Sequence, residues 1–169
     1  MAVIGSASGN GKTTLARLLA ERLGVPWVEL DALVHGPDWV ETPDEELRAR
    51  VEPLVGSDGW VIDGAYRGKL GDLVLASADT VVWLDLPVRV WLPRLVRRSV
   101  RRLRGQEALW NGNRESVRGV FLGWNALVLW ALRAHVRRRR TYPRALAAYR
   151  VVRLRSVDEV RAFVAGAGP

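Results

Sequence analysis

Ten residues near the start of the chain, Gly5-Ser6-Ala7-Ser8-Gly9-Asn10-Gly11-Lys12-Thr13-Thr14, combine three glycines, a run of hydroxyls and a lysine. They lie between a β-type run, Ala2-Val3-Ile4, and a helical run with Leu15, Leu18, Leu19 and Leu23 spaced along one face. Glycines in that setting let consecutive backbone N–H groups turn inward around phosphate oxygens, and the helix N-terminus adds partial positive charge. The spacing is that of a P-loop, G-x-x-x-x-G-K-[ST], with Ser6 in the first glycine slot and Gly5 one residue earlier. Ser8, Gly9, Asn10, Gly11, Lys12, Thr13 and Thr14 are therefore the expected contacts to a nucleoside triphosphate. Lys12 supplies a point charge to the β- and γ-phosphates, and the Thr13 hydroxyl a ligand for magnesium. ATP and Mg²⁺ are the expected cofactors.

Carboxylates follow the next three β-type runs: Asp31 after Trp27–Leu30, Asp63 after Trp60–Ile62, and Asp85 after Thr80–Leu84. In open parallel sheets the ligand sits outside the carboxyl ends of the strands, so these groups share an edge with the glycine loop. Asp63 has the position of a metal-side carboxylate and is expected to hold Mg²⁺ or its water together with Thr13. Asp31 suits an acceptor hydroxyl, whose proton it could take, or a helix N-cap. Asp85, two residues before Pro87, reads as a cap for the helix that follows.

That helix carries Arg94, Arg97, Arg98, Arg101, Arg102 and Arg104, with Arg94, Arg98, Arg101 and Arg102 on one face. Planar guanidinium forks match phosphate oxygens, which suits an Arg-rich lid over a transferring phosphoryl group, with Arg98 as its catalytic member. The break Leu109-Trp110-Asn111-Gly112-Asn113-Arg114-Glu115 reads as a flap that brings Arg114 to the phosphates.

The elements that must position these groups alternate short β runs with longer helical ones, the pattern of a parallel α/β sheet. Helices are expected over Lys12–Leu23, Asp44–Val55, Leu70–Ala76, Pro87–Arg104, Val117–Arg139 and Val157–Ala165, and the last strand over Arg150–Leu154. Phe121, Trp124, Val128, Ala131 and Leu132 follow helical spacing and are expected in the core. No cysteine is present, which excludes disulfide and thiolate chemistry, and neither His35 nor His135 has metal-ligand spacing. The absence of a signal peptide and of an apolar run of about 20 residues points to a cytoplasmic protein without membrane insertion. Length suits a single domain over 1–169, with a lid insertion around 104–118.

Charge is distributed unevenly. Residues 1–85 hold 7 Lys/Arg against 14 Asp/Glu, whereas residues 86–157 hold 18 Arg against Glu107 and Glu115 alone. A basic half implies a polyanionic partner, either nucleotide phosphates or nucleic acid. Lys12 stands out further because the chain has 24 Arg and only one other lysine, Lys69.

The P-loop, Leu30-Asp31-Ala32-Leu33, Trp60-Val61-Ile62-Asp63-Gly64, Ala78-Asp79-Thr80-Val81-Val82-Trp83-Leu84-Asp85-Leu86-Pro87 and Leu109–Glu115 occur in this order. Together they resemble the adenylate-kinase-like P-loop proteins labelled DNA topology modulation (FlaR-type) proteins, over residues 1–164. The resemblance implies a three-layer α/β fold with a five-stranded parallel sheet in nucleotide-kinase order, 2-3-1-4-5, with strand 3 beside strand 1 and helices on both faces. It also implies that Arg67, in Asp63-Gly64-Ala65-Tyr66-Arg67, contacts an acceptor phosphate, although Tyr66 stands where adenylate kinases have proline. Shikimate- and gluconate-type kinases place an Asp after strand 2, which would set Asp31 on an acceptor hydroxyl. The combined expectation is a P-loop phosphotransferase, monomeric or homodimeric. It would bind ATP or ADP and transfer phosphoryl to a nucleoside monophosphate first, or to another small hydroxyl compound. A nucleotide-dependent nucleic-acid-binding protein or an ATPase is the alternative.

Overall fold

The computed structural model describes residues 1–122 and 126–168. Its elements run β1 (Ala2–Gly5), α1 (Lys12–Leu23), β2 (Trp27–Glu29), α2 (Leu30–Val34), α3 (Asp44–Val55), β3 (Val61–Asp63), α4 (Arg67–Leu70), α5 (Leu73–Ala76), β4 (Val81–Leu84), α6 (Val88–Gly105), α7 (Val117–Phe121), α8 (Leu127–Ala145), β5 (Val151–Leu154) and α9 (Val157–Gly166). Short 3₁₀ turns occupy Pro37–Trp39 and Trp110–Gly112. The strands pair in parallel in the order β2-β3-β1-β4-β5, which is the expected one.

Side chains alternate across the sheet and separate its two faces. Ala2, Ile4, Ile62, Val81 and Trp83 pack with Leu30, Val34, Leu47, Val51, Leu70, Val74 and Leu146. Val3, Val61, Val82, Leu84 and Leu154 pack instead with Leu15, Ala16, Leu19 and Ala20 of α1, and with Val160, Phe163 and Val164 of α9. Helices therefore cover both faces, as an all-parallel sheet requires. A third apolar cluster joins Trp91 and Leu95 of α6 to Ala131 of α8 and reaches Ala7 in the glycine loop.

Several boundaries differ from the sequence expectation. β2 stops at Glu29, and Leu30 already begins α2, so Asp31 lies in the first turn of a helix rather than capping one. The helix expected at Leu70–Ala76 is two short helices separated by Gly71, at φ 58° and ψ −136°. The long helix expected at Val117–Arg139 is instead α7 and α8. The Ser116 hydroxyl caps α7 by accepting from Gly119 N, and Leu122 turns extended at φ −114°. α8 then continues beyond Arg139 to Ala145. Of the residues expected in the core there, Ala131 is buried, Val128 and Leu132 are half-buried, and Phe121 is exposed. Trp124 lies outside the described residues.

Asp85 is buried and caps nothing; the helix after it has Pro87 at its N-cap and no side-chain cap. Its Oδ1 accepts from Ser6 Oγ at 2.7 Å, and its Oδ2 accepts from Arg153 Nη2 at 2.6 Å and Nε at 3.1 Å. Arg139 Nε lies 3.2 Å from the same oxygen. Trp83 Nε1 donates to Ser6 Oγ at 2.9 Å. This explains the departure from the P-loop pattern: the first glycine slot holds a hydroxyl because the hydroxyl bolts the loop to β4.

Removing one partner of a buried ion pair typically costs about 3–5 kcal/mol, because the remaining charge is left uncompensated. Asp85→Ala is accordingly expected to lose about 3 kcal/mol in urea unfolding. Ser6→Gly, which removes one neutral donor, is expected to lose about 1 kcal/mol.

Candidate active site

The glycine loop leads directly into α1, whose N-cap, Gly11, sits at φ 89° and ψ 22° without a side-chain cap and without an acidic residue in the first turn. The first-turn N–H groups have no intrahelical partners by geometry, so Lys12, Thr13 and Thr14 present backbone donors and the positive end of the helix to an anion. Gly9, at φ 79°, packs against α6. A Cβ there would come within 2.9 Å of both the Trp91 carbonyl oxygen and Leu95 Cβ. The close approach of loop and α6 therefore requires glycine.

Four polar side chains converge under the loop. Thr13 Oγ1 donates to Asp63 Oδ2 at 2.5 Å, Lys12 Nζ lies 3.5 Å from Asp63 Oδ1, and Thr13 Oγ1 lies 3.4 Å from Glu29 Oε1. Glu29 and Asp63 are register partners at the ends of β2 and β3, so the sheet itself puts the two carboxylates side by side. Burial raises the Glu29 pKa; the nearby Trp110 side chain opposes that shift, Asp63 and Asp31 add to it, and Lys12 also opposes it. Asp63 Oδ1 is buried without a hydrogen-bond partner. One hydroxyl and two carboxylates form a hard-oxygen set that fits Mg²⁺ held partly by the protein and partly by phosphates. Among the described residues no group of three or more His, Asp or Glu forms an all-protein metal cage.

A second cluster lies at the other end of the cleft. Asp31 Oδ1 accepts from Tyr66 Oη at 2.5 Å, and Tyr66 Oη is 3.3 Å from His35 Nε2. Burial, and then Asp31, raises the Tyr66 pKa, which keeps the phenol a donor. Tyr66 holds a left-handed backbone at φ 42°, ψ 49° and so turns its ring back over β2 and α2. His35 also meets Trp39 edge-on at 5.6 Å between centroids and stacks with Trp110 at 5.8 Å. The 109–115 segment is clasped to this region by side-chain amides. Asn111 Nδ2 donates to the His35 carbonyl at 2.6 Å, Asn113 Nδ2 donates to the Gly36 carbonyl at 2.8 Å, and Asn113 Oδ1 accepts from Trp39 N at 2.8 Å.

The arginines divide between cleft and surface. Arg98 enters the cleft; burial lowers its pKa, the charge of Arg102 lowers it further, and Glu115, Asp31 and Glu29 oppose the shift. Its Nε has no partner. Arg102 also lines the cleft and is held by Glu115 at 2.9 Å. Arg114 is exposed and donates to Gln106 at 3.2 Å, outside the cleft. Arg67 reaches the cleft wall, but its guanidinium is committed to Asp72 at 2.6 Å.

One cleft of about 1610 Å³ takes in residues 7–15, Glu29, Asp31, Tyr66, Arg98 and Trp110. The sequence reading missed Glu29, Tyr66, His35 and Trp110 as members. Alternation along Glu29-Leu30-Asp31 was the available signal for Glu29, since side chains two apart share a face. For the aromatic residues no local signal exists, because they meet only through the clasp between 109–115 and 35–39. No helix among the described residues is long and apolar enough to cross a membrane.

No family model matches the chain. It is 29% identical over 101 residues to a shikimate kinase of Sulfurihydrogenibium sp. (strain YO3AOP1), covering 52% of this chain and 61% of that enzyme. A shikimate kinase of Halorhodospira halophila (strain DSM 244 / SL1) is 32% identical over 51% of this chain and 56% of its own. A bifunctional pantoate ligase/cytidylate kinase of Gloeobacter violaceus is 32% identical over 48% of this chain and 15% of its own. The chain thus spans less than two thirds of the length of the curated relatives it matches. Among solved structures, a shikimate kinase from Bacteroides thetaiotaomicron aligns over 97% of this chain and 92% of its own, with TM-score 0.55 and 18% identity. A gluconokinase from Sinorhizobium meliloti 1021 aligns over 97% and 90%, with TM-score 0.54 and 22% identity. The fold is that of the adenylate-kinase-like P-loop kinases.

Glu29 raises a stability test. A carboxylate whose pKa is higher in the folded than in the unfolded chain contributes less as pH rises from the ordinary glutamate range through the elevated value. Glu29→Gln removes that charge. Its thermal midpoint at pH 7 is expected to exceed that of the parent chain, with a smaller loss of stability between mildly acidic and neutral pH, measured by calorimetry across pH.

Proposed function

We propose that the chain is an ATP-dependent small-molecule kinase of the cytoplasm. The observation that carries this reading is the convergence of Lys12, Thr13, Asp63 and Glu29 beneath the glycine loop, with Asp31 in the same cleft. Residues 8–14 would bind the triphosphate, with Lys12 on its β- and γ-oxygens. Thr13, Asp63 and Glu29 would hold Mg²⁺, which when bound neutralises charge on those oxygens. Arg98 would face the transferring phosphoryl, where charge is spread over equatorial oxygens. Asp31, fixed by Tyr66, would take the acceptor proton as the acceptor oxygen bonds to the γ-phosphorus. The bond from that phosphorus to the β–γ bridging oxygen breaks, leaving ADP and a phosphorylated acceptor. Arg114 would need to leave Gln106 to take part, and Arg67 would need to leave Asp72.

Shikimate kinases among the relatives and a gluconokinase among the structures support a hydroxyl acceptor ahead of a nucleoside monophosphate. The cytidylate kinase part of the bifunctional relative supports the nucleotide. The narrower likeness to FlaR-type proteins rests on the Leu109–Glu115 segment. Exposed Arg97, Arg104, Arg140 and Arg144 on α6 and α8 favour a second reading, nucleic-acid binding; affinity falling steeply with the logarithm of salt concentration is its signature.

ADP release in a screen of nucleotides and small hydroxyl compounds is expected to rise above the no-acceptor background. Lys12→Ala is expected to lose about 10²-fold or more in turnover while keeping its circular dichroism spectrum. Unchanged turnover in that variant would sink the assignment. Arg98→Ala is expected to lower kcat by about 10²-fold with a smaller change in the KM for ATP.

A further inference from the structure

The acceptor end of the cleft is made of carboxylates and rings. Glu29, Asp31 and Glu41 line it together with Trp39, Tyr66 and Trp110. Three of the cations around it are already matched. Arg67 Nε and Nη2 lie 2.7 and 2.6 Å from Asp72 Oδ1. Lys69 Nζ lies 2.9 Å from Asp44 and 3.1 Å from Glu41, and Arg102 Nη1 lies 2.9 Å from Glu115. Arg98 lines the same cleft with its Nε unpartnered among the described residues, and in the proposed reaction its charge goes to the transferring phosphoryl.

In that reading Glu29 serves Mg²⁺ and Arg98 the phosphoryl, so an anionic acceptor would approach Asp31 and a triphosphate with Arg67, Lys69 and Arg102 already paired. Like charges within about 4–6 Å oppose one another strongly enough to shift a protonation equilibrium. Hydroxyl and ammonium groups meet the opposite situation, because carboxylates accept from O–H and N–H donors. The rings add a surface for what lies between those donors. Trp39 is 42% exposed and belongs to none of the apolar clusters among the described residues. Its backbone is left-handed at φ 60°, after Asp38 at φ 55°, and buried Asn113 pins it there through Trp39 N. An indole held open on a constrained turn beside carboxylates suits the C–H face of a sugar ring, or an ammonium group over its π-face.

We infer that the acceptor is an uncharged or amino-bearing polyhydroxyl compound, of the sugar, aminosugar or cyclitol type, and not a carboxylate or phosphate. The inference rests on the kinase reading, and it differs from what the names of the relatives suggest, since shikimate and gluconate are acids. Specificity here comes from what the site repels as much as from what it holds.

The test uses the full chain with MgATP and acceptors matched in skeleton: glucose, glucosamine and glucuronate; inositol; shikimate and gluconate; a nucleoside and its monophosphate. Phosphorylated product is read by mass spectrometry, and MgATP binding by calorimetry. The neutral or amino member of a matched set is expected to exceed its acidic counterpart by about tenfold or more in kcat/KM. Trp39→Ala is expected to raise the acceptor KM about tenfold while leaving the KM for ATP unchanged. Turnover confined to carboxylate or phosphate acceptors overturns this inference and leaves the kinase reading standing. MgATP binding with no phosphorylated product from any class overturns the kinase reading and this inference with it. An acceptor KM unchanged in Trp39→Ala overturns the stacking role of that ring.

Discussion

A buried carboxylate holds the carboxyl edge of the sheet together. Asp85 ends β4 and accepts from the glycine loop through Ser6, from β5 through Arg153, and faces Arg139 of α8. An ionised side chain removed from water is tolerable only when such partners compensate it, so the four elements must meet at one point or the fold loses several kcal/mol. Arg153 also lies over the Trp83 ring at 4.1 Å, which fixes its guanidinium plane. Arg138 donates to the Gly5 carbonyl at 3.0 Å from the same helix turn. The floor of the phosphate loop is thus set by β4, β5 and α8 before any nucleotide arrives.

Across the sheet the electrostatics run the other way. Glu29, Asp31 and Asp63 crowd the ends of β2, α2 and β3, with Lys12 and Arg98 as nearby cations. The arrangement raises the Glu29 pKa, so it works against stability. Charge that the fold would not choose for its own sake is what a divalent cation and a hydroxyl proton require. The two clusters therefore divide the labour: Asp85 is satisfied and structural, while Glu29 and Asp31 are under-compensated and available.

The 109–115 segment joins the end of α6 to the 35–39 turn by hydrogen bonds and by ring stacking. Two asparagine amides grip backbone carbonyls of His35 and Gly36, and Trp110 reaches both the His35 ring and the Glu29 carboxylate. The 109–115 segment and the 35–39 turn are consequently one connected unit. Displacing the 35–39 turn displaces the indole stacked on His35.

Much of this was legible in the chain. Glycine spacing, the lysine and the strand–loop–helix setting are local, so the P-loop could be read directly, and the succession of short β runs and longer helical runs gave the parallel α/β sheet. The order of the strands came from the resemblance rather than from pattern. Other features depended on contacts distant in sequence. That Ser6 belongs to Asp85, 79 residues away, that Arg67 is neutralised by Asp72, and that Arg114 faces Gln106 are matters of where side chains point after packing. Glu29 entered the site because β2 ended one residue early and its register placed it opposite Asp63. Sequence by itself determined the phosphate-loop pattern, because that pattern depends on residue type and short spacing. Tertiary structure decided which charges remain uncompensated in the cleft, because compensation is a property of neighbours in space.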